Sequence, residues 1–206
     1  MSLKTKMLLL AAAVALAACG ENQTGSSTGQ TAASVPVSAP ASAASTPAAA
    51  SETVPQAASA AVSSKDGKIQ ISLNGVYQDK TGDAEYAPEG VAAEQIVLLQ
   101  RDDAADITVS AVSAGKADKD ADKLLSELKA AIEGDESVKD VHAAAPENGV
   151  LAYRFTHANG EDAANEACIT RVSAEKDVAT VCAVSRSVSS EELLKELQSG
   201  VKFMAD

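Results

Sequence analysis

Apolar and polar positions change their period several times along this chain. From Gly67 the run Ile69-Gln70-Ile71-Ser72-Leu73 alternates, which predicts a half-buried strand. A loop with Gly75, Gly82, Pro88 and Gly90 follows. Ala93 to Arg101 (AEQIVLLQR) then reads as a second strand, continuous enough to be central. Asp102 to Asp106 makes a turn, and Ile107 to Ser113 returns as a third, alternating strand. Between Asp120 and Glu133 the period lengthens. Leu124, Leu125, Leu128, Ala131 and Ile132 recur at three and four, which predicts an amphipathic helix. Asp118, Asp120 and Asp122 crowd its start, where the helix dipole favours negative charge, and Gly134 suits its end. Four more extended runs start at Lys139, Val150, Ala167 and Val178. Asn148-Gly149 and Asn159-Gly160 supply hairpin turns between them, so a meander is expected. The last helix opens on Ser189 with Glu192 three residues on, a capping box, and carries Leu193, Leu194 and Leu197 as its apolar stripe. Gly200 is expected to end it, with Val201 and Phe203 tucking back onto the core. The order of three strands, helix, four strands and helix predicts an α+β fold. Its antiparallel sheet has about six or seven strands, flanked by two main helices in an α/β/α sandwich.

The first third of the 206 residues has a different texture. Lys4 and Lys6 form a basic start, and Met7 to Ala18 form an apolar run too short to span a bilayer as a helix. This order reads as a secretory signal peptide over residues 1–18. It ends in Leu16-Ala17-Ala18-Cys19, and a cysteine at that place resembles the lipobox of a bacterial lipoprotein. The alternative is an ordinary signal peptide that happens to precede a cysteine. The resemblance implies diacylation of Cys19, cleavage before it, and a mature chain beginning Cys19-Gly20-Glu21, held to the membrane by its lipid. Residues 19–64 are then the lipidated cysteine and an Ala/Ser/Pro-rich linker. With almost no charge and no large apolar periodicity, this stretch cannot offset its ordering entropy and is expected to be disordered. About 45 residues of such coil average roughly 35–40 Å end to end. The globular domain is expected over 65–206, the size of one ordinary core.

Lys4, Lys6, Glu21 and Glu52 are the only charged residues before Lys65, so the formal charge of −12 belongs to the domain. An acidic surface repels phosphate backbones, and aromatic residues are only 2% of the chain, too few for base stacking, so nucleic acid is not an expected partner. The same charge disfavours adhesion to anionic lipid, which leaves anchoring to the lipid on Cys19.

Three cysteines suit an exported protein. With Cys19 lipidated, Cys168 and Cys182 remain as an even pair in an oxidising compartment. If the hairpin between them is symmetric about Glu175, they oppose each other across adjacent strands, close enough for a disulfide. A redox-active pair is the functional alternative, but the Cys-x-x-Cys spacing is absent. Asp118-Lys119-Asp120-Ala121-Asp122 begins like a calcium loop and fails at Lys123, where Gly is needed, and at Lys129, where Glu is needed. His142 lies in an extended run and His157 beside a turn, and neither has the three protein ligands a catalytic zinc wants. Acidic clusters such as Glu161-Asp162 read as solvated surface. Nucleophile elbow, phosphate-binding glycine loop and His-Glu-x-x-His are all missing. The sequence names no catalytic residue, no metal ligand and no cofactor.

From about Lys65 to Phe203 the chain resembles the DcrB-type envelope lipoproteins, within the wider group that resembles Mog1 and PsbP. The likeness rests on the opening Asp66-Gly67-Lys68-Ile69-Gln70-Ile71-Ser72-Leu73, on strand pairs flanking one central helix, on the terminal Glu-Leu-Leu helix and on the lipobox ahead of it. It implies an α/β/α sandwich on an antiparallel sheet and brings no catalytic residues. The long linker and Cys168 with Cys182 depart from the pattern. Gly20 stands where an Asp would resemble an inner-membrane retention signal, so the outer membrane is expected, with the domain in the periplasm or on the cell surface. The function expected is non-enzymatic: a tethered acidic domain that binds another envelope or surface protein, through a sheet edge or the loop Gly75–Gly90. The alternative is an envelope lipoprotein that binds a small ligand or a metal cation.

Overall fold

A computed structural model describes residues 59–157 and 163–204. Cys19, the signal peptide, nearly all of the linker, the Asn159-Gly160 turn and the Glu161-Asp162 pair lie outside the described residues. Among the described residues, ten strands and two α-helices make an α+β fold, in the order β1 (Ser59–Ser63), β2 (Ile69–Asn74), β3 (Gln78–Asp79), β4 (Ile96–Asp102), β5 (Ile107–Lys116), α1 (Ala121–Glu133), β6 (Val138–Ala143), β7 (Val150–His157), β8 (Asn165–Val172), β9 (Asp177–Ser185), α2 (Ser190–Gly200) and β10 (Val201–Phe203).

Seven strands form the main sheet in the order β3-β4-β5-β9-β8-β7-β6, every neighbouring pair antiparallel. Strands β6 to β9 are the expected meander. The two-residue Asn148-Gly149 loop has positive φ at both positions, 51° and 73°, the signature of a type I′ turn. A side chain at Gly149 would also place its Cβ 2.6 Å from the Val172 carbonyl, so Gly is required there twice over.

Alternation sorts the side chains onto two faces. Ala167, Ile169, Val181, Ala183, Val109 and Ala111 line one face, where they pack with Leu193 and Leu197 of α2 and with Ile69, Ile71 and Leu73 of β2. Leu151, Tyr153, Phe155, Cys168, Cys182 and Val184 line the other, where Leu125 and Ile132 of α1 cover them. The helices therefore lie on opposite faces. The predicted sandwich is present.

Four expectations need correction. The first strand does not join the main sheet; β2 pairs with β1 and β10 in a separate three-stranded sheet. Period two predicts that a strand is half buried but not which edge it takes as partner. Second, Ser59–Ser63, assigned by composition to the linker, is strand β1, so order begins by Ser59 rather than at Lys65. Its ladder with β2 is made by backbone groups, which a run of Ser and Ala supplies as well as any other. Third, Ala93–Gln95 is a 3-10 turn, and the strand starts only at Ile96, where the β-branched and apolar residues begin. Ala131 also stands outside the buried stripe of α1 and is exposed.

Ser189 caps α2 as expected, accepting the Glu192 N–H at 3.3 Å. The end of α2 runs so close to β2 that a Cβ on Gly200 would meet the Ser72 carbonyl at 2.5 Å.

Asp102 organises the β4–β5 turn. Its Oδ1 accepts the N–H groups of Ala104 and Ala105 at 3.0 Å each, and its Oδ2 accepts the N–H of Val76 at 2.9 Å. Burial alone would raise this carboxyl's pKa, but those donors outweigh it and hold the pKa below the ordinary value. A depressed folded value means stability that is present above the unfolded pKa of about 3.9 and lost as pH falls through the folded value. Asp102→Ala is predicted to cost about 1–3 kcal/mol at neutral pH, by leaving three donors unmade. The cost should shrink under acid, so urea titrations of both proteins at pH 7 and pH 2 check it. Equal gaps at both values would contradict the assignment.

Candidate functional site

The sequence points to Cys168 and Cys182, and the structure joins them. Strands β8 and β9 pair in a register that places the two cysteines directly opposite, with Cα atoms 4.1 Å apart, and a disulfide closes between them. The symmetry about Glu175 is real. It is set by the turn Ser173–Asp177, where Lys176 takes the left-handed backbone with φ 69° and its N–H donates to the Ser173 carbonyl at 2.9 Å. Both cysteines are buried on the α1 face.

Sequence reasoning overlooked their neighbours. Two residues before Cys168 on the same strand, and so on the same face, stands Glu166, only 1% exposed. Its Oε1 lies 3.3 Å from Cys168 Sγ, and its Oε2 is 2.7 Å from Nε2 of His157, itself buried. His157 ends β7 and follows Leu151, Tyr153 and Phe155 on that strand's inward side; its ring meets Phe155 edge-on, with centroids 5.2 Å apart. Burial raises the Glu166 pKa, and the His157 contact offsets only part of that rise. A carboxyl is thus held inside the core between an imidazole and a disulfide. One oxygen faces the ring and the other faces the sulfur.

The signal that could have revealed this pair is parity. Glu166 shares the inward phase of Cys168, Thr170 and Val172, as His157 shares that of Tyr153 and Phe155. A polar residue on the apolar phase of a strand demands a buried partner. Each answers the other.

The other candidates do not gather. His142 is exposed on β6, in the stretch where the β6–β7 register shifts. Asp118, Asp120 and Asp122 are exposed at the start of α1, and Asp120 is the N-cap residue without a side-chain cap bond. Among the described residues, the one group of three potential metal-ligating side chains is Glu166, Cys168 and Cys182, whose donor atoms all lie within 4.8 Å of one another.

The loop Gly75–Gly90 contains β3. It presents Val76, 73% exposed, beside Tyr77, which packs on the core. Burial first, then Glu196 and Asp102, push the Tyr77 hydroxyl up to about 12. The cavity behind it, bounded by Leu73, Glu196 and Leu197, is about 10 Å³, room for one water rather than for a ligand. Farther along the loop, Tyr86 lies under Lys80 and Arg101, 5.4 and 5.9 Å from the ring centroid. Among the described residues no helix is long and apolar enough to cross a membrane.

No family model matches this chain, and no curated protein sequence matches it.

Proposed function

We propose that this chain is a lipid-anchored protein of the bacterial outer membrane. Its acidic α+β domain binds another envelope or surface protein and catalyses no reaction. The observation that carries the reading is the disulfide Cys168–Cys182 inside the folded core of a chain that also carries Leu16-Ala17-Ala18-Cys19. A structural disulfide suits an oxidising compartment, and a lipobox-like cysteine suits export with retention at a membrane. The order of strands and helices, with the terminal Glu-Leu-Leu helix, is the support for a DcrB-like envelope role. The docking element is the loop Gly75–Gly90. Asp102 holds its start through the Val76 N–H, so the exposed Val76 side chain stands on a fixed backbone rather than a slack one.

Two measurements test this. In a host that processes lipoproteins, Cys19→Ser is expected to move the chain from the membrane fraction to the soluble fraction, and the wild-type N-terminal peptide is expected to carry acyl mass. Crosslinking in intact cells is expected to capture a partner, and alanine replacement of Val76 and Tyr86 together should reduce that capture at least about tenfold, as loss of an interface anchor does. Unchanged fractionation of Cys19→Ser would remove the anchor from the reading. Unchanged capture would remove the loop.

A further inference from the structure

We propose that the reduced form of Cys168 and Cys182, together with Glu166, is a binding site for one thiophilic divalent cation of the zinc class, which closure of the disulfide expels. This goes beyond the docking role and does not depend on it.

Three donors of the right kind already converge. The two sulfurs oppose each other on adjacent strands, and Glu166 reaches the same point from two residues away on the same face. Zinc–sulfur and zinc–oxygen bonds of about 2.3 and 2.0–2.2 Å at a tetrahedral angle place sulfur and oxygen about 3.5 Å apart. Glu166 Oε1 and Cys168 Sγ are 3.3 Å apart here. The other carboxylate oxygen is engaged by His157 at 2.7 Å, which fixes the orientation of the carboxylate as an outer hydrogen-bonding partner does for a metal ligand. Two thiolates and a carboxylate select zinc-like ions over calcium or magnesium, which want oxygen alone. A purely structural disulfide has no need of this company. A buried Glu–His pair is costly in a core, and replacing such pairs by apolar residues is often neutral or favourable.

The exchange balances. A dithiol reductant gives two electrons and two protons to the sulfurs and is left as a disulfide. The cation then binds both thiolates, and the two thiol protons pass to water. A disulfide oxidant takes the two electrons back, and with two protons from water it becomes the dithiol. The Cys168–Cys182 bond re-forms and the cation leaves. Both sulfurs are buried, so these steps require local opening of the face that α1 covers.

The test uses the full chain with Cys19→Ser, so that no third thiol competes. One sample is unfolded, reduced and refolded under a phosphine; the other keeps its disulfide. Cobalt(II) is the probe, and zinc is its competitor. The reduced chain is expected to develop thiolate-to-cobalt charge-transfer absorption that saturates at one equivalent and is abolished by zinc. The disulfide form should develop none. Glu166→Gln in the reduced chain should weaken cobalt binding at least about tenfold, and His157→Gln about 10–100-fold. Circular dichroism of each reduced sample shows whether it is folded, and the reduced chain in urea gives the affinity of the two thiols alone. Absence of the charge-transfer band overturns the proposal. So does an affinity no tighter than that of the urea-unfolded chain, or one unchanged by Glu166→Gln in a folded sample.

Discussion

Replacing Cys168 and Cys182 together by alanine is expected to lower the stability of the domain by about 3 kcal/mol, the value for a closed loop of about 15 residues. For a domain of this size that is a fall in melting temperature of about 10 °C. The loss arises chiefly in the unfolded chain, which gains the freedom of the unfastened hairpin. The folded β8–β9 ladder keeps its register, because eight residue pairs from Asn165–Ser185 to Val172–Val178 hold it. Urea denaturation of both proteins under non-reducing conditions is the measurement. A loss below about 1 kcal/mol would mean that the pair contributes little as a fastener, and that its value lies in its chemistry.

The second large effect is at Glu166. In the oxidised protein, Glu166→Ala is expected to cost about 3–5 kcal/mol, since it leaves His157 inside the core without its hydrogen-bond partner and opens a cavity where the side chain stood. Glu166→Gln keeps an acceptor for the imidazole and nearly the same volume, and about 1 kcal/mol is expected. The contrast between the two variants is the informative quantity. Equal losses would show that neither side-chain volume nor an acceptor for His157 is enough, and that the core requires the carboxyl group itself at this position.

Much of this fold is legible because its signals are local. Ser189 with Glu192, Asn148 with Gly149, and the lengthened period of Leu124, Leu125, Leu128 and Ile132 each need only a few neighbouring residues to be read. The opposition of Cys168 and Cys182 is legible for a related reason: once a hairpin has a centre, every pair in it is fixed. What resists reading is choice of partner. Nothing in Ile69-Gln70-Ile71 states that β2 prefers β1 and β10 to the main sheet, and in Ser59–Ser63 Val62 alone is a strong strand former, too little to advertise an edge strand. The Glu166–His157 pair resists for the same reason. Each residue alone passes for surface, and only the pairing of β7 with β8, which places Phe155 opposite Glu166 and Tyr153 opposite Cys168, turns both inward to meet.

The strand order also bears on how the chain reaches this state. Strands β3 to β5 pair with their neighbours in sequence, and so do β6 to β9, so each block can form from contacts close in the chain. A single seam, β5 against β9 from Ile107–Ser185 to Lys116–Asp177, joins the two blocks and must wait for α1 and three strands to fall between. Closing that seam is the entropically expensive step and is expected to set the pace of folding. The disulfide lies within the second block, and its Cys182 stands on β9 itself, opposite Ser110 across the seam. Oxidation can therefore proceed on a hairpin that is already paired while the seam is still open, and the interval between the two events is when the sulfurs are within reach of other molecules.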